Sequence, residues 1–154
     1  MNDRPYIPEN EIAAMMHKAG IRLSVHRIAI LSYVGNSRLH PSVEEIYRHL
    51  APEFPSLSRA TVYNSLHVLV DKGLVREIEI EKDMMRYDME SFPHAHFRCR
   101  ECGRIIDVPM NLDTSALPHD YCVDSVDVYY KGLCSQCNHT DKPLTTNKDS
   151  NERS

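Results

Sequence analysis

The sequence predicts an α+β chain: an N-terminal winged helix-turn-helix domain followed by a small α/β domain tied together by a four-cysteine zinc site. Three observations predict it. Residues 9–70 carry four helical patterns, each opened by a proline or a capping serine. An alternating hairpin follows directly at 74–88. Two C-x-x-C knuckles, Cys99/Cys102 and Cys134/Cys137, bracket most of what remains.

Each element has its own signal. Pro8 suits the first turn of a helix, residues 9–19 repeat apolar side chains at helical spacing, and Gly20 ends them. Ser24 caps a second helix over 25–33, with Val25, Ile28, Ala29, Ile30 and Leu31 apolar; Gly35, Asn36 and Ser37 read as a turn. Ser42 with Glu44 and Glu45 opens a third helix through a capping box, and Pro52 and Pro55 close it. Ser58 caps a fourth helix running to Val70, before Gly73. Its apolar stripe reads as Ala60, Tyr63 in part, Leu66, Leu69 and Val70. The hairpin is 74–80, a turn at 81–83, and 84–88. Further strands are expected at 92–98, 104–108 and 121–130, with a short helical turn at 112–117. Residues 138–154 are polar and aperiodic and read as a disordered tail. The divisions expected are 1–90, with a hinge beginning near 88, then 91–137, then the tail.

The chain of 154 residues has room for one moderate domain or two small ones. A formal net charge of -4 argues against polyanion binding by the whole surface, but leaves open a focused basic face. No apolar run approaches membrane-span length and no signal-peptide core opens the chain, so the expected location is the cytoplasm. In that reducing compartment, paired cysteines favour metal over disulfides. Residues 103–133 separate the two knuckles; the other readings are two unrelated thiol pairs or a redox pair. Four sulfur ligands leave no position for a substrate, so this zinc holds the fold. Cys122 is read as an ordinary, partly buried thiol.

His94 and His96 alternate, so on an extended strand both rings point to one face. By itself such a pair is either a ligand set or a polar strand face. Spacing does not collect His40, Asp88 and Asp107 with it. His40 before Pro41 reads as a loop residue, and Asp88 as a strand end.

These pieces together resemble the ferric uptake regulator (Fur) family of bacterial metal-dependent repressors, and most of all its peroxide-sensing (PerR) branch. The resemblance rests on H-P-S-V-E-E-I-Y from His40, S-R-A-T-V-Y-N-S-L from Ser58, Gly73-Leu74-Val75, Arg86-Tyr87-Asp88, and H-x-H-F-x-C-x-x-C-G from His94. It runs from about Ile12 to Cys137. It implies a DNA-binding domain, a hinge near 88–93 and a C-terminal dimerisation domain, with homodimers binding a pseudo-palindromic double-stranded operator. It also implies a regulatory site of His40, Asp88, His94, His96 and Asp107 for Fe(II) or Mn(II). Such a set can bind five-coordinate and leave one position open. Iron-sensing relatives usually have Glu where Asp88 and Asp107 stand; Asp at both implies peroxide sensing, by oxidation of His40 or His94 to 2-oxo-histidine. A further site of some relatives needs a His shortly before the second knuckle; residues 126–133 contain none. His119 and Asp120 read as a solvated turn.

The fourth helix is the expected recognition helix, with Arg59, Thr61, Tyr63 and Asn64 near its N-terminal end facing DNA. The alternatives are a partly buried Tyr63 and a merely solvated Arg59. Arg22 and Arg27 are candidate phosphate contacts or ordinary surface. The leading expectation is thus a metal-dependent repressor that senses peroxide. The alternatives are an iron-responsive uptake regulator, a zinc sensor, a non-haem metalloenzyme, and a zinc-stabilised interaction module. No nucleophile with a base partner and no phosphate loop supports an enzyme.

Overall fold

The computed structural model describes residues 5–37, 39–89 and 94–139. Among these the order is α1 (Glu9–Lys18), α2 (Val25–Asn36), α3 (Val43–Leu50), α4 (Arg59–Asp71), β1 (Arg76–Glu81), β2 (Met84–Asp88), β3 (His94–Cys99), β4 (Ile105–Pro109) and β5 (Tyr129–Gly132). The capping chemistry operates as its residue types dictate. Ser24 Oγ accepts from Arg27 N at 3.2 Å, and Ser58 Oγ from Thr61 N at 3.1 Å. Ser42 and Glu45 complete a reciprocal capping box, Ser42 N donating to Glu45 Oε2 at 2.8 Å. Gly20 and Gly73 adopt positive φ just beyond α1 and α4, where a side chain would be strained.

The helices bury Ile12 and Met16 of α1, Ile30, Leu31 and Val34 of α2, Ile46 and Leu50 of α3, and Val62, Leu66 and Leu69 of α4. Two local expectations change. Helix α2 runs three residues past Tyr33, because Gly35 is not a turn residue: it lies buried under Met89, whose Sδ sits 2.6 Å from where a Cβ would stand. In α4 the inward stripe is Val62, Ser65, Leu66 and Leu69, while Ala60 and Tyr63 are exposed. Packing against α2 and α3 rotates the helix one position from the face that apolarity alone selects.

Strands β1 and β2 form an antiparallel wing, Arg76 opposite Asp88. The second sheet has the order β4-β3-β5, with β3 antiparallel to β4 and parallel to β5. The wing turns its buried face, Ile78 and Ile80, onto Ile105 and Tyr129 of that sheet. Glu79 N donates to Tyr129 Oη at 3.3 Å, and Arg76 pairs with Asp127 at 3.0 Å. The expected strand over 121–130 shrinks to Tyr129–Gly132; residues 121–128 have no regular structure and little burial. The turn at 112–117 is a single one, Leu117 N donating to Thr114 O at 3.0 Å. Cys122 is exposed rather than partly buried. Residues 90–93 of the expected hinge, and the tail from 140 onward, lie outside the described residues.

Candidate metal centres

The parallel pairing of β3 and β5 brings the two knuckles together, because it sets Cys99 opposite Gly132, two residues before Cys134. A tight turn with Gly103 at φ +74 returns the chain after Cys99, Cys99 N donating to Arg104 O at 2.9 Å. One Sγ from each of Cys99, Cys102, Cys134 and Cys137 lies within 4.8 Å of the others. Cys102 Sγ and Cys134 Sγ are 3.8 Å apart. Sulfurs at about 2.3 Å from one tetrahedral zinc are about 3.8 Å apart, so the spacing fits. The backbone N–H groups of Cys102 and Cys134 pull the Cys99 thiol down to about 6. The hydrogen bond to Cys134, with burial, pushes the Cys137 thiol up to about 12. Four adjacent thiols cannot all ionise against one another; a divalent cation at their centre removes that conflict. The group is compatible with a zinc site.

The second group assembles from four parts of the fold. His94 and His96 leave the same face of β3 and are both buried. Strand register sets Asp107 of β4 opposite His96. Asp88 ends the wing. His40 comes from the segment between α2 and α3. One ligand atom from each of the five lies within 4.8 Å of the rest. His94 Nε2 is 2.9 Å from His96 Nε2, 3.1 Å from Asp88 Oδ2 and 3.5 Å from Asp107 Oδ1. His96 Nε2 is 3.4 Å from Asp107 Oδ1, and His40 Nε2 is 2.6 Å from the same oxygen. Ligands about 2.1 Å from a common ion and at right angles are about 3 Å apart, so this set also fits a cation. Burial raises the Asp88 pKa, but His96, His40 and His94 outweigh it and hold the carboxyl below its ordinary value. That is a carboxylate ready to ligate.

His40 adopts φ 50 immediately before Pro41. A ring side chain in the left-handed region, on a residue that precedes proline, costs about 1–3 kcal/mol and persists only where the surroundings enforce it. Here β2 enforces it. Tyr87 N donates to Pro41 O at 3.0 Å, Ser42 bridges to Arg86, and Arg86 Nη1 donates to His40 O at 3.1 Å.

On the outer face of α4, Tyr63 and Asn64 are exposed, and Thr61 is half-buried beside the cap. Thr61, Asn64 and Ser65 line a groove of about 390 Å³ with Arg22, Ser24 and Arg27. Arg59 is not a free cation. Its guanidinium forks onto Glu44 at 2.7 and 2.9 Å and lies over the Tyr47 ring at 4.2 Å. Sequence reasoning misses the link from Glu44 to Arg59 and that from Arg86 to His40, since neither pair has a telling spacing.

A winged helix joined to a second sheet, with a five-residue His/Asp group where they meet and a four-cysteine group behind it, defines a metal-responsive DNA-binding regulator. The chain belongs to the ferric uptake regulator family, whose model matches residues 18–116. It is 36% identical over 132 residues to the peroxide-responsive repressor PerR of Staphylococcus aureus, covering 82% of this chain and 89% of that one. Among solved structures it resembles PerR from Streptococcus pyogenes, with 35% identity, 89% and 98% coverage and a TM-score of 0.50. The Helicobacter pylori ferric uptake regulator shares the fold at 22% identity, 90% and 99% coverage and a TM-score of 0.69. Solved relatives of the family are seen with zinc, with iron or with manganese, and a zinc uptake regulator is seen in complex with zinc and DNA. They are regulators and not enzymes at the family level. No helix among the described residues is long and apolar enough to cross a membrane.

Proposed function

We propose that this chain is a cytoplasmic repressor whose operator binding needs Fe(II) or Mn(II) at His40, Asp88, His94, His96 and Asp107, and is released by peroxide. The observation that carries this is the convergence of those five ligand atoms from both halves of the fold, His40 alone coming from among the helices. The functional division is 1–90 for DNA binding, 91–137 for dimerisation and zinc at Cys99, Cys102, Cys134 and Cys137, and 138–154 as a tail. An ion held by ligands from both halves favours one arrangement of the halves by its differential affinity for it. Asp at both carboxylate positions, and the peroxide-responsive relative, support the peroxide branch over iron sensing. The role is regulatory, not enzymatic.

His40, Asp88, His94, His96 and Asp107 would hold Fe(II), which would supply the electrons for peroxide reduction next to these side chains. The chain's own part is to bury the rings of His40, His94 and His96 side by side at the site. Transfer of one oxygen atom from hydrogen peroxide to ring Cε1, with water as the other product, would convert the ring to 2-oxo-histidine and weaken Nε2 as a donor. The test is operator binding by the zinc-loaded dimer with Fe(II) or Mn(II), before and after dilute hydrogen peroxide, with mass spectrometry of both histidine peptides. Loss of binding with Fe(II) alone, and one added oxygen on either peptide, is expected. Unchanged binding with unmodified histidines moves the assignment to an iron-responsive regulator.

DNA recognition falls to Arg59, Thr61, Tyr63 and Asn64 of α4, on a pseudo-palindromic site matching the dimer two-fold. Arg59 reaches a phosphate or base by giving up Glu44. Tyr63→Ala and Asn64→Ala are each expected to weaken operator affinity by about 1–3 kcal/mol, roughly 5- to 150-fold, with thermal stability unchanged because both side chains are exposed. Fluorescence anisotropy across a salt series checks this. Parental affinity in both variants would remove α4 from the interface.

A further inference from the structure

We propose that Arg86 is a positioning residue for the His40 ligand, holding that histidine's strained backbone in place and linking the regulatory site to α3 and α4. The inference rests on the reading of the five-residue group as a metal site.

A ligating imidazole is normally aimed from the side away from its ion. Its second ring nitrogen donates to a carboxylate, carbonyl or water, and that outer partner fixes the ring. His40 Nδ1 is buried and meets no hydrogen-bond partner among the described residues. The ring is therefore aimed by its backbone. That backbone sits at φ 50, a conformation the residue would leave if released. One side chain grips it: Arg86 Nη1 donates to His40 O at 3.1 Å.

Arg86 is itself fixed from several sides. Its side chain is 13 % exposed, its Nε donates to Glu81 Oε1 at 2.8 Å, and Nη1 also reaches Glu45 Oε2 at 3.1 Å. Each partner belongs to a different element. Glu81 ends β1 and also pairs with Arg98 of β3 at 3.2 Å, two residues beyond His96. Glu45 is the carboxylate of the α3 capping box. The neighbouring Glu44 holds Arg59 at the first turn of α4. Arg86 thus joins the His40 carbonyl, the wing, β3 and the start of α3 through one planar group. A shift of His40 on losing its ion is felt by Arg86, then by the α3 cap, and through Glu44 by the recognition helix. Lysine reproduces this only in part, since an ammonium is a point donor and not a fork.

Mn(II) binding is measured on the zinc-loaded full chain, following free Mn(II) by electron paramagnetic resonance. The samples are the parent, Arg86→Gln, Arg86→Lys and Asp107→Ala, with thermal midpoints recorded before manganese is added. Arg86→Gln is expected to weaken Mn(II) binding about 10- to 100-fold, the range for loss of an outer-shell partner, and Arg86→Lys by less. Arg86 as mere scaffolding would lower the midpoint and leave Mn(II) affinity of the folded protein unchanged. If Arg86→Gln does not fold, Arg86→Lys decides. Parental Mn(II) affinity in the folded Arg86 variants, with binding lost in Asp107→Ala, overturns the role of Arg86. Parental affinity in Asp107→Ala overturns the site itself, and the proposal with it.

Discussion

Cys99→Ser is expected to reduce bound zinc from about one ion per chain to near zero and to unfold the second sheet while the helices persist. Cys99 is wholly buried at the end of β3, and it is the thiol that the backbone N–H groups of Cys102 and Cys134 pull down to about 6. A serine hydroxyl stays protonated at neutral pH and is a poor ligand for zinc beside three sulfurs. The sheet has little else to hold it. Strand β5 is four residues long, and the buried residues on the sheet's side of the second cluster reduce to Ile105, with Tyr129 packed against them. A core that small needs a staple. The helical core is separate and does not depend on the cysteines. Zinc analysis, size-exclusion chromatography and far-ultraviolet circular dichroism read the three consequences. A zinc-free variant with the parent's thermal midpoint and oligomeric state would falsify a structural role for the knuckles.

His96→Ala is expected to lower Mn(II) affinity by more than about 100-fold and to abolish metal-dependent operator binding, with zinc retained. A directly ligating group costs more than the roughly 10- to 100-fold typical of its outer partners. His96 is also central in the geometry. Its Nε2 lies 2.9 Å from that of His94 and 3.4 Å from Asp107, and its strand position faces both Asp107 and Tyr129. Removing it leaves Asp88 and Asp107 as like charges with fewer imidazoles between them, so the remaining four ligands are less well arranged as well as fewer. The effect on DNA follows because a ligand shifts a conformational equilibrium only by its differential affinity; a site that no longer fills shifts nothing. Equilibrium dialysis against Mn(II), paired with operator binding at matched salt, checks this. Retention of metal-stimulated binding would mean that the ion acts elsewhere.

Local chemistry made much of this molecule legible from the chain alone. Ser24, Ser42 and Ser58 cap the three helices expected of them, because a cap is a contact within four residues. The hairpin ending at Asp88 follows from alternation and its turn. The knuckle spacing pointed to zinc because two thiolates three apart already share a turn. Residues 121–130 misled because their apolar content suits a strand, whereas only the last of them find a partner edge on β3. The exposed face of Tyr63 was likewise undecided until α2 and α3 chose which side of α4 to cover.

What the sequence by itself determined is therefore everything set by neighbours along the chain: the helix starts, the wing, the paired cysteines, and the H-x-H face of β3. Collecting His40, Asp88 and Asp107 around that face took either resemblance to a family or the fold itself. Their spacing carries no signal, because each arrives from a different element, brought there by sheet register and by the wing packing onto the second sheet. The left-handed backbone of His40, the grip of Arg86 on it and the Glu44 clamp on Arg59 belong to tertiary structure alone. They are contacts between residues far apart in sequence, and no periodicity or short-range preference encodes which distant partner a charged side chain meets.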